Sequence, residues 1–340
     1  MGKRKLTRRQ SWRIDKIQQE RVDRANRRDV ELQESLEAGD LGGEQFGLVV
    51  AHFGTQVAVE GQGREAVRCH MRANLGGLVT GDRVIWRESD LAGVVVAKEP
   101  RQNELARPDP YGAMKAIAAN IDQLLVVIAP LPESYPEQVD RYLVAAEAAG
   151  IQPAILLNKA DLLTAPENAE RGLRLKELLD DYRRLGYSTL QVSATGQQGL
   201  ASLQQALQSN TSVFVGQSGV GKSSLINVLL PGVDVRVGAL SDATGKGTHT
   251  TTNAQLFHFP GGGKLIDSPG IREFGLWHME ADQIEAGFVE FRPFFGQCRF
   301  RNCGHHAEPG CALLAAVEQG VISERRFASY RALLLACESS

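Results

Sequence analysis

Two nucleotide-binding motifs stand in this chain in the reverse of their usual order. Asn158–Asp161 reads Asn-Lys-Ala-Asp, the N-K-x-D signature that recognises guanine, and it precedes Gly216–Ser223, which matches the phosphate-binding loop G-x-x-x-x-G-K-[ST]. An ordinary GTPase carries the phosphate loop first and the base-reading motif last. Both halves of the site are present but exchanged along the chain. The sequence therefore predicts a circularly permuted domain, whose termini fall where an ordinary GTPase has internal loops.

The phosphate-binding loop has the residue types that its chemistry requires. Glycines let consecutive backbone N–H groups curl around phosphate oxygens, and the helix predicted to follow adds its positive N-terminal end. Lys222 is expected to reach the β- and γ-phosphates, and the Ser223 hydroxyl to ligate Mg²⁺. The predicted GTP contacts of this loop are Gly216, Gln217, Ser218, Gly219, Val220, Gly221, Lys222, Ser223 and Ser224.

Guanine selectivity is predicted from Asp161, because an ionised carboxylate only accepts hydrogen bonds. It matches the two donors on the Watson–Crick edge of guanine, whereas adenine presents a donor beside an acceptor. Lys159 is expected to lie along the base and sugar, Asn158 to brace the loop, and Ala160 to complete the motif. Ser193-Ala194 follows the next predicted strand and fits the companion loop, where a backbone N–H meets the guanine carbonyl.

A third nucleotide motif, Asp267-Ser268-Pro269-Gly270, follows another predicted strand and matches the D-x-x-G element. Its Asp is expected to hold Mg²⁺ through water, and the Gly270 amide to sense the γ-phosphate. Many GTPases place after that glycine a Gln that orients the attacking water. Here the residue is Ile271, which cannot form a hydrogen bond to water. Catalysis must therefore come from another residue, a partner, or both.

The candidate for catalysis is His249, in the glycine-rich polar stretch Gly245–Thr251 where the first switch is expected. An imidazole there could orient or activate water, although the same histidine could merely contact a partner or solvent. One threonine of the stretch is expected to ligate Mg²⁺ through its hydroxyl. Thr251 is favoured over Thr250.

Three cysteines and a histidine cluster near the C-terminus as C-x₄-C-x-H-x₅-C, formed by Cys298, Cys303, His305 and Cys311. Three thiolates and an imidazole make one tetrahedral Zn²⁺ site. His306 could replace His305 by spacing alone, and a set of unligated thiols is the alternative. A module this small has little core, so the metal would supply much of its folding energy.

The fold class predicted is a multidomain α/β protein. Residues 41–100 hold five short β-like runs, which favour a five-stranded barrel of the oligonucleotide-binding (OB) type, with an SH3-like barrel as the alternative. Residues 101–275 alternate strands and helices, as is typical of a parallel sheet with flanking helices. Residues 276–340 are predicted to form a helical zinc-binding module. The permutation brings the Asp267 loop close to this module in sequence, so nucleotide state could set its pose.

Residues 1–40 form a predicted basic arm. The first 28 residues hold eleven Lys or Arg against three acids, a net charge of +8, in a chain whose total is −2. A basic arm on an acidic body suits attraction to a polyanion, although a solvated tail has the same composition. No apolar run reaches the roughly 18 residues needed to span a bilayer, and no signal-peptide pattern is present. A cytoplasmic protein without a membrane partner is expected.

With these residues in hand, the chain resembles the RsgA/YjeQ family, the circularly permuted GTPases of small ribosomal subunit maturation. The resemblance covers nearly everything from about residue 45 to 330. The family commonly has Gln before the switch histidine, and here Thr248 stands there. The motifs that carry the resemblance are Asn158–Asp161, Gly216–Ser223, Gly247–Thr251, Asp267–Gly270 and the Cys298–Cys311 cluster.

The resemblance implies an N-terminal OB barrel, a central permuted G domain and a C-terminal domain with one structural Zn²⁺, all docking on small-subunit rRNA. It also implies Mg²⁺ with GTP, hydrolysis that is slow alone and stimulated by the subunit, and a late assembly checkpoint that includes release of the maturation factor RbfA. In this family the switch histidine is regarded as catalytic, which here is His249. GTP and GDP are the implied nucleotides, and a monomer is the simpler expectation.

Two other function classes compete with an rRNA-dependent GTPase. One is a GTP-gated binding protein whose hydrolysis is incidental, which Ile271 keeps open. The other is an ATP-using P-loop enzyme, against which Asp161 argues. For nucleic acid on the barrel, Phe46, Phe53 and Trp86 are candidate stacking residues, although each is expected to be core.

Overall fold

The computed structural model describes residues 42–338 apart from 64, 73–74, 90–91, 110, 234–253, 269–270 and 272–278. The basic arm 1–40 lies outside the described residues. Within them, no helix is both long enough and apolar enough to cross a membrane.

The N-terminal strands close into a five-stranded barrel, as predicted. The strands are β1 (Gln45–Phe53), β2 (Gln56–Glu60), β3 (Ala66–Met71), β4 (Arg83–Arg87) and β5 (Gly93–Lys98). Their order is β1-β2-β3-β5-β4, and β4 pairs back onto β1. All pairings are antiparallel except β3 with β5, which is parallel. This Greek-key closure is that of the OB type, so the SH3-like alternative is wrong.

Trp86 is buried in the barrel core. Its indole packs against Gly47, where an added Cβ would lie only 2.8 Å from the ring. It is therefore no stacking platform. Phe46 and Phe53 differ from the expectation that they are core: they are 67% and 39% exposed. The Arg68 guanidinium lies 4.4 Å from the centre of the Phe53 ring.

The central domain is a parallel sheet, also as predicted. Its strands are β8 (Gln123–Ile128), β9 (Gln152–Leu157), β10 (Ser188–Gln191), β11 (Thr211–Val215), β12 (Gln255–His258) and β13 (Lys264–Asp267). The spatial order is β10-β9-β8-β11-β13-β12, parallel except for β12. β8 reads Gln-Leu-Leu-Val-Val-Ile and is buried throughout. Such a run indicates a strand covered by helices on both faces.

Helices cover the two faces of this sheet. They are α1 (Pro136–Ala148), α2 (Ala169–Arg184), α3 (Leu200–Leu207) and α4 (Lys222–Leu229). α1 and α2 pack with Ile155 and Val213 on one face, and α3 and α4 pack with Leu156 and Phe214 on the other. Alternate residues of each strand therefore serve two separate cores.

Three further strands were not predicted, and one of them, β12, joins the barrel to the central sheet. β6 (Glu104–Pro108) and β7 (Met114–Ala119) form a separate two-stranded hairpin, which lies between the two units in sequence. β12 pairs antiparallel with barrel strand β1 at Gln255 and Ala51. Barrel and central sheet thus form one eleven-stranded sheet.

The C-terminal module is helical, with an aromatic core. It contains α5 (Ala281–Gly287), a 3₁₀ turn (Val289–Phe294), α6 (Ala312–Glu318) and α7 (Glu324–Glu338). The Phe288 and Phe291 rings stack with centroids 4.9 Å apart, and the Tyr330 ring packs edge-on against both. Such pairs add packing energy beyond their buried area.

A buried ion network docks this module on α1. Arg326 of α7 is 1% exposed and donates to Asp140 of α1 at 2.7 Å and to Glu290 at 2.6 and 2.9 Å. Burial alone lowers the pKa of Arg326, but the bonds to Glu290 and the Asp140 charge raise its pKa overall, so the guanidinium stays charged. Gly287 lies so close to Val144 that a Cβ would stand 2.6 Å from its Cγ1 atom.

We expect Arg326→Ala to lower the free energy of unfolding by about 3–5 kcal/mol, because it removes the cation from Glu290 and leaves the buried Asp140 with the longer ion pair to Arg325, at 3.2 Å. Urea denaturation followed by circular dichroism measures the change. Arg184→Ala is the matched control, since Arg184 pairs with Asp181 at the exposed surface and should cost less than about 1 kcal/mol. Equal losses in the two variants would contradict the role assigned to the network.

Candidate functional site

Four of the predicted nucleotide motifs leave the same edge of the central sheet. Asn158 follows β9, Ser193 follows β10 closely, Gly216 follows β11, and Asp267 ends β13. The carboxyl ends of parallel strands share one edge, which is where open α/β sheets bind ligands. Segments more than 100 residues apart in the chain, Asn158 and Asp267 among them, therefore meet at one place.

The phosphate-binding loop has a backbone that only glycine can adopt at two positions. Gly216 has φ 135°, and a Cβ there would lie 2.3 Å from the Val127 carbonyl oxygen. Gly221 has φ 96°, and a Cβ there would lie 2.3 Å from Nδ2 of Asn158. Gly221 is also the N-cap of α4, so the positive end of that helix faces the loop.

Lys222 and Ser223 stand in the first turn of α4, and both are buried. The Lys222 ammonium donates to the carbonyls of Gly216 at 2.5 Å and Gln217 at 2.8 Å. Its charge therefore lies within the curve of the loop. A cation held there complements anionic oxygens that the backbone N–H groups bind.

Asn158 ties three segments of the site together. Its Nδ2 atom donates to the Val220 carbonyl at 2.9 Å, and its Oδ1 atom accepts from the Ala194 N–H at 3.4 Å. The side chain is buried, where an amide with both ends paired is stable and one left unpaired is costly. Asn158 therefore joins the phosphate loop to the two loops predicted to read the base.

The Lys159 ammonium reaches from the base motif to the phosphate loop. Its Nζ atom donates to the carbonyls of Gly219 and Leu131, both at 2.7 Å. Leu131 follows β8, in a segment that no sequence motif assigns to the site. A backbone carbonyl carries no residue signature, so only the fold could identify it.

Asp161 is oriented by a side chain as well as by its loop. The buried Ser193 hydroxyl donates to Oδ1 of Asp161 at 2.5 Å and accepts from the Gly196 N–H at 2.8 Å. The Ala160 N–H donates to the Val192 carbonyl at 3.0 Å, which fixes this loop against the end of β10. The sequence predicts that this loop contacts the guanine carbonyl through a backbone N–H. In the structure, the Ser193 hydroxyl also contacts the Asp161 carboxylate directly.

Ile271 lies in the core beneath the site. Its side chain is buried in the cluster that covers α1 and α2, and its N–H donates to the Ser268 carbonyl and hydroxyl, both at 3.2 Å. The side chain is thus committed to packing. The other predicted switch residues, Thr248, His249, Thr250, Thr251 and Gly270, lie outside the described residues.

Cys298, Cys303, His305 and Cys311 converge into a second site that could hold a metal ion. Their ligand atoms all lie within 4.8 Å of one another. The Cys298 and Cys311 sulfurs are 3.9 Å apart, against about 3.8 Å for two thiolates at tetrahedral bond lengths on zinc. His305 Nδ1 lies 3.7 Å from the Cys298 sulfur and 3.2 Å from that of Cys311. His305 rather than His306 therefore completes the cluster.

Acidic residues support this cluster from outside. Glu285 of α5 lies 3.4 Å from Nε2 of His305, the nitrogen opposite the converging Nδ1. A carboxylate at that position orients a ligating imidazole. Glu308 accepts from the N–H groups of Gly304 at 2.8 Å and His306 at 2.7 Å. Hydrogen bonds from backbone N–H groups, its own first, lower the pKa of Glu308 to about 2. The carboxylate is therefore ionised at neutral pH and continues to accept these hydrogen bonds.

The thiol protons set the conditions for metal binding. Burial raises the pKa of Cys311 to about 11, against the weaker effect of the Leu314 N–H, which lowers it. A metal binds the thiolate and therefore displaces that proton. The Leu314 and Ala312 N–H groups donate to the sulfurs of Cys311 and Cys298, so the backbone is placed to stabilise thiolates.

Comparison with known proteins gives one consistent relationship. The family model described as RsgA GTPase matches residues 98–277. A protein of Azotobacter vinelandii, named small ribosomal subunit biogenesis GTPase RsgA, is 60% identical over 339 residues, covering 98% of both chains. The protein of that name from Pseudomonas aeruginosa is 60% identical over 335 residues, again with 98% of both chains covered.

Two solved structures share the fold. The crystal structure of YjeQ from Thermotoga maritima superposes with a TM-score of 0.72 at 30% identity, covering 88% of this chain and all of that one. YloQ, described as a circularly permuted GTPase, gives a TM-score of 0.70 at 28% identity over 87% of this chain and 96% of its own. The predicted permutation is therefore that of known structures.

We expect Cys311→Ser to remove the bound metal, because a hydroxyl does not replace a thiolate in a tetrahedral site. The C-terminal module should lose stability with it, since the metal contributes folding free energy to a small domain. Elemental analysis of the purified protein, with thermal unfolding beside it, measures both. Cys337→Ser is the matched control: it lies in the same module but outside the cluster and should keep the metal. Full metal content in Cys311→Ser would contradict the site.

Proposed function

The chain belongs to the RsgA family of circularly permuted GTPases and is a GTP hydrolase, and on that premise we propose that its hydrolysis serves the assembly of the small ribosomal subunit. The GTP-binding part of this proposal is supported by one observation: a single edge of the sheet brings together the loops that carry Asn158, Asp161, Lys222 and Asp267. The ribosomal part is supported by the name that relatives 60% identical carry.

The nucleotide would lie across this edge with its base against Asp161. The Ser193 hydroxyl orients one carboxylate oxygen, and the carboxylate accepts the two guanine donors. The Ala194 N–H is assigned to the guanine carbonyl. Lys159 is tied to the phosphate loop by Gly219, so the distance from base pocket to phosphate loop is fixed before the nucleotide binds. This pre-organisation reduces the entropy lost on binding.

The phosphates would be held by the N–H groups of residues 216–224 and by Lys222. Ser223, Asp267 and Thr251 are assigned to Mg²⁺, Asp267 through water. Hydroxyl and carboxylate oxygens are the ligands this ion prefers, and Ser223 and Asp267 stand at the ends of neighbouring elements. Mg²⁺ supplies neutralisation of the charge on the β- and γ-phosphates. The Gly270 amide is assigned to sense the γ-phosphate.

We assign the attacking water to His249. Ile271 is buried and apolar, so the position that often carries a Gln takes no part. An imidazole can accept the water proton as water bonds to the γ-phosphorus, while the bond from that phosphorus to the bridging oxygen breaks and GDP leaves with the electron pair. Such a general base contributes about 10²–10⁴-fold. Dependence on this residue is consistent with hydrolysis that is slow alone and stimulated by a partner.

We propose that the metal of the C-terminal cluster is one structural Zn²⁺. Three thiolates and one imidazole are the donor set that zinc prefers, and all four protein ligands leave no position for substrate. Cys303 completes this set with the three residues whose distances are given above. The ion would secure the loop 298–311 against α6.

The partner we propose is the small ribosomal subunit with its rRNA. The first 28 residues carry a net +8 charge, which favours a polyanion. On the barrel, Phe53 is exposed and stacked by Arg68, the combination on which unpaired bases stack. We further propose that the subunit stimulates hydrolysis and that the protein acts at a late assembly checkpoint, with release of RbfA. We propose that it acts as a monomer in the cytoplasm. The proposed domain bounds are 1–40, 41–100, 101–275 and 276–340.

We expect Asp161→Asn to weaken GTP binding about 100-fold or more, because an amide offers one donor and one acceptor to two guanine donors. Binding of xanthosine triphosphate should increase, since xanthine presents a carbonyl where guanine has its amino group. Competition against a fluorescent GTP analogue measures both. Asp180→Asn is the control, an Asp that pairs with Arg183 on the exposed face of α2. ATP competing as well as GTP would make the base assignment wrong.

We expect His249→Ala to leave GTP affinity nearly unchanged while slowing subunit-stimulated turnover by about 10²-fold or more, the range for a lost general base. Single-turnover hydrolysis with and without small subunits measures it, with His306→Ala as a control because that imidazole is exposed and outside the metal cluster. Unchanged stimulated turnover would remove His249 from the mechanism. No stimulation of the wild type would favour a GTP-gated binding protein instead.

A further inference from the structure

The turn Val79–Asp82 of the barrel is buried although two of its residues are polar. Thr80 is 1% exposed and Asp82 is 0% exposed. Buried polar side chains require partners, since each unpaired group costs free energy. The hydrogen-bond partners and packing neighbours of this turn lie on five separate segments of the chain, and two of those segments lead to the nucleotide site.

Arg101 fixes the turn from the linker after β5. Its Nε and Nη2 atoms donate to the two carboxylate oxygens of Asp82 at 2.7 and 2.9 Å, and its Nη1 atom donates to Glu104 at 2.6 Å. Asp82 in turn accepts from the Val79 N–H at 2.8 Å. The hydrogen bond to Asp82 is the main cause that raises the pKa of Arg101. Bidentate pairs of this kind are geometrically rigid.

Backbone bonds connect the turn to both neighbouring units. The Gly81 N–H donates to Val49 of the barrel at 2.8 Å, and the Thr80 carbonyl accepts from the Ala119 N–H of β7 at 3.0 Å. The Asn120 side chain donates to the Gly81 carbonyl at 2.8 Å. The turn is thus part of the barrel and of the hairpin at once.

The Thr80 hydroxyl reaches the first of the two segments that lead to the nucleotide. It donates to the Ala254 carbonyl at 2.8 Å, across 174 positions of sequence. Ala254 directly precedes β12 and follows Thr251 by three residues. β12 is then held on both sides, by β13 and by β1, and its His258 lies 2.7 Å from Glu60 of β2.

Gly81 packs against the second segment. Its φ is 95°, and a Cβ there would lie 2.0 Å from the Ala119 carbonyl oxygen and 3.1 Å from Cδ1 of Ile266. Ile266 directly precedes Asp267. A side chain at position 81 would not fit between this turn and β13. The backbone of the barrel turn therefore packs directly against Ile266, the residue before Asp267.

We propose that the turn Val79–Asp82 is a positioning element for GTP hydrolysis, with Thr80 as the positioning residue. It fixes Ala254 at the start of β12 and Ile266 at the end of β13 in one contact, and so sets the separation of Ala254 from Asp267. The proposal rests on the Mg²⁺ roles proposed for Asp267 and for Thr251, which lies three residues before Ala254 in sequence. Misplacement by about 1 Å costs up to about 10²-fold in rate, so one hydrogen bond at this position governs turnover rather than affinity.

The same contact connects the barrel to the chemistry. Barrel strand β1 pairs with β12, and the turn that precedes β4 holds both β12 and β13. A ligand that moves the barrel relative to the sheet must therefore move the two segments or break these bonds. The barrel acts on hydrolysis through identified atoms.

The test is Thr80→Val, which keeps the shape and removes the hydroxyl, with Thr80→Ser to restore it. Steady-state GTP hydrolysis is measured with small subunits present, and thermal unfolding is measured beside it. Thr80→Val should lower kcat about 10-fold or more with KM for GTP within about twofold of wild type, and Thr80→Ser should recover most of kcat. Cys69→Ala is the control: it weakens the barrel core away from this turn and should leave kcat within about twofold.

Unchanged kcat in Thr80→Val would overturn the proposal, as would an equal fall of kcat in Cys69→Ala. If Thr80→Val does not fold, Ile266→Val decides, because it removes the methyl group over Gly81. Its kcat should fall several-fold below that of Ile155→Val, the same deletion in the same core, and equal values would overturn the proposal. Thr251→Ala and Asp267→Ala distinguish failure of the proposed Mg²⁺ roles from failure of the positioning role. If both variants hydrolyse GTP normally, the Mg²⁺ roles are wrong. If both variants lose activity while Thr80→Val has a normal kcat, only the positioning role is wrong.

Discussion

Parallel pairing of β8, β9, β11 and β13 is the constraint on which the rest of the structure depends. Hydrogen bonding between these strands fixes which loops share an edge, and it does so regardless of the order in which the chain visits them. β11, which delivers the phosphate loop, stands between β8 and β13 in the sheet although it follows β8, β9 and β10 in sequence. The inverted order of the motifs therefore changes where the chain begins and ends, and leaves the site intact.

Docking of the C-terminal module bears on how nucleotide state could reach it. The sequence places this module shortly after Asp267, which suggested that the switch sets its pose directly. In the fold, the module is held by α1 through Asp140, Arg326 and Glu290, with Gly287 against Val144. Moving the module alone would separate buried charges, at a cost of several kcal/mol. A change of pose would therefore have to move α1 together with the module.

Elements with a strong periodic sequence pattern could be predicted, whereas elements and contacts that depend on tertiary packing could not. The barrel strands and the buried parallel strands carry β-branched or continuous apolar runs, from which the five-stranded barrel and the parallel sheet were both predicted. β12 has four residues and forms because β13 and β1 flank it, which local propensity does not encode. In the site, the glycine loop and Asp161 follow from residue type. The Leu131 carbonyl and the Glu285 partner of His305 depend on packing alone.

Burial of Ile271 excludes its side chain from orienting water. Its N–H donates to Ser268 and its side chain packs in the core, so the residue after the D-x-x-G element is fixed in the core rather than turned toward solvent. We assign the orientation of water to His249, which lies five residues before Ala254 in sequence. The Ala254 carbonyl accepts from the Thr80 hydroxyl of the barrel. If the assignment holds, hydrolysis depends on a stretch of chain whose C-terminal neighbour contacts the barrel, and not on the residue after the D-x-x-G element.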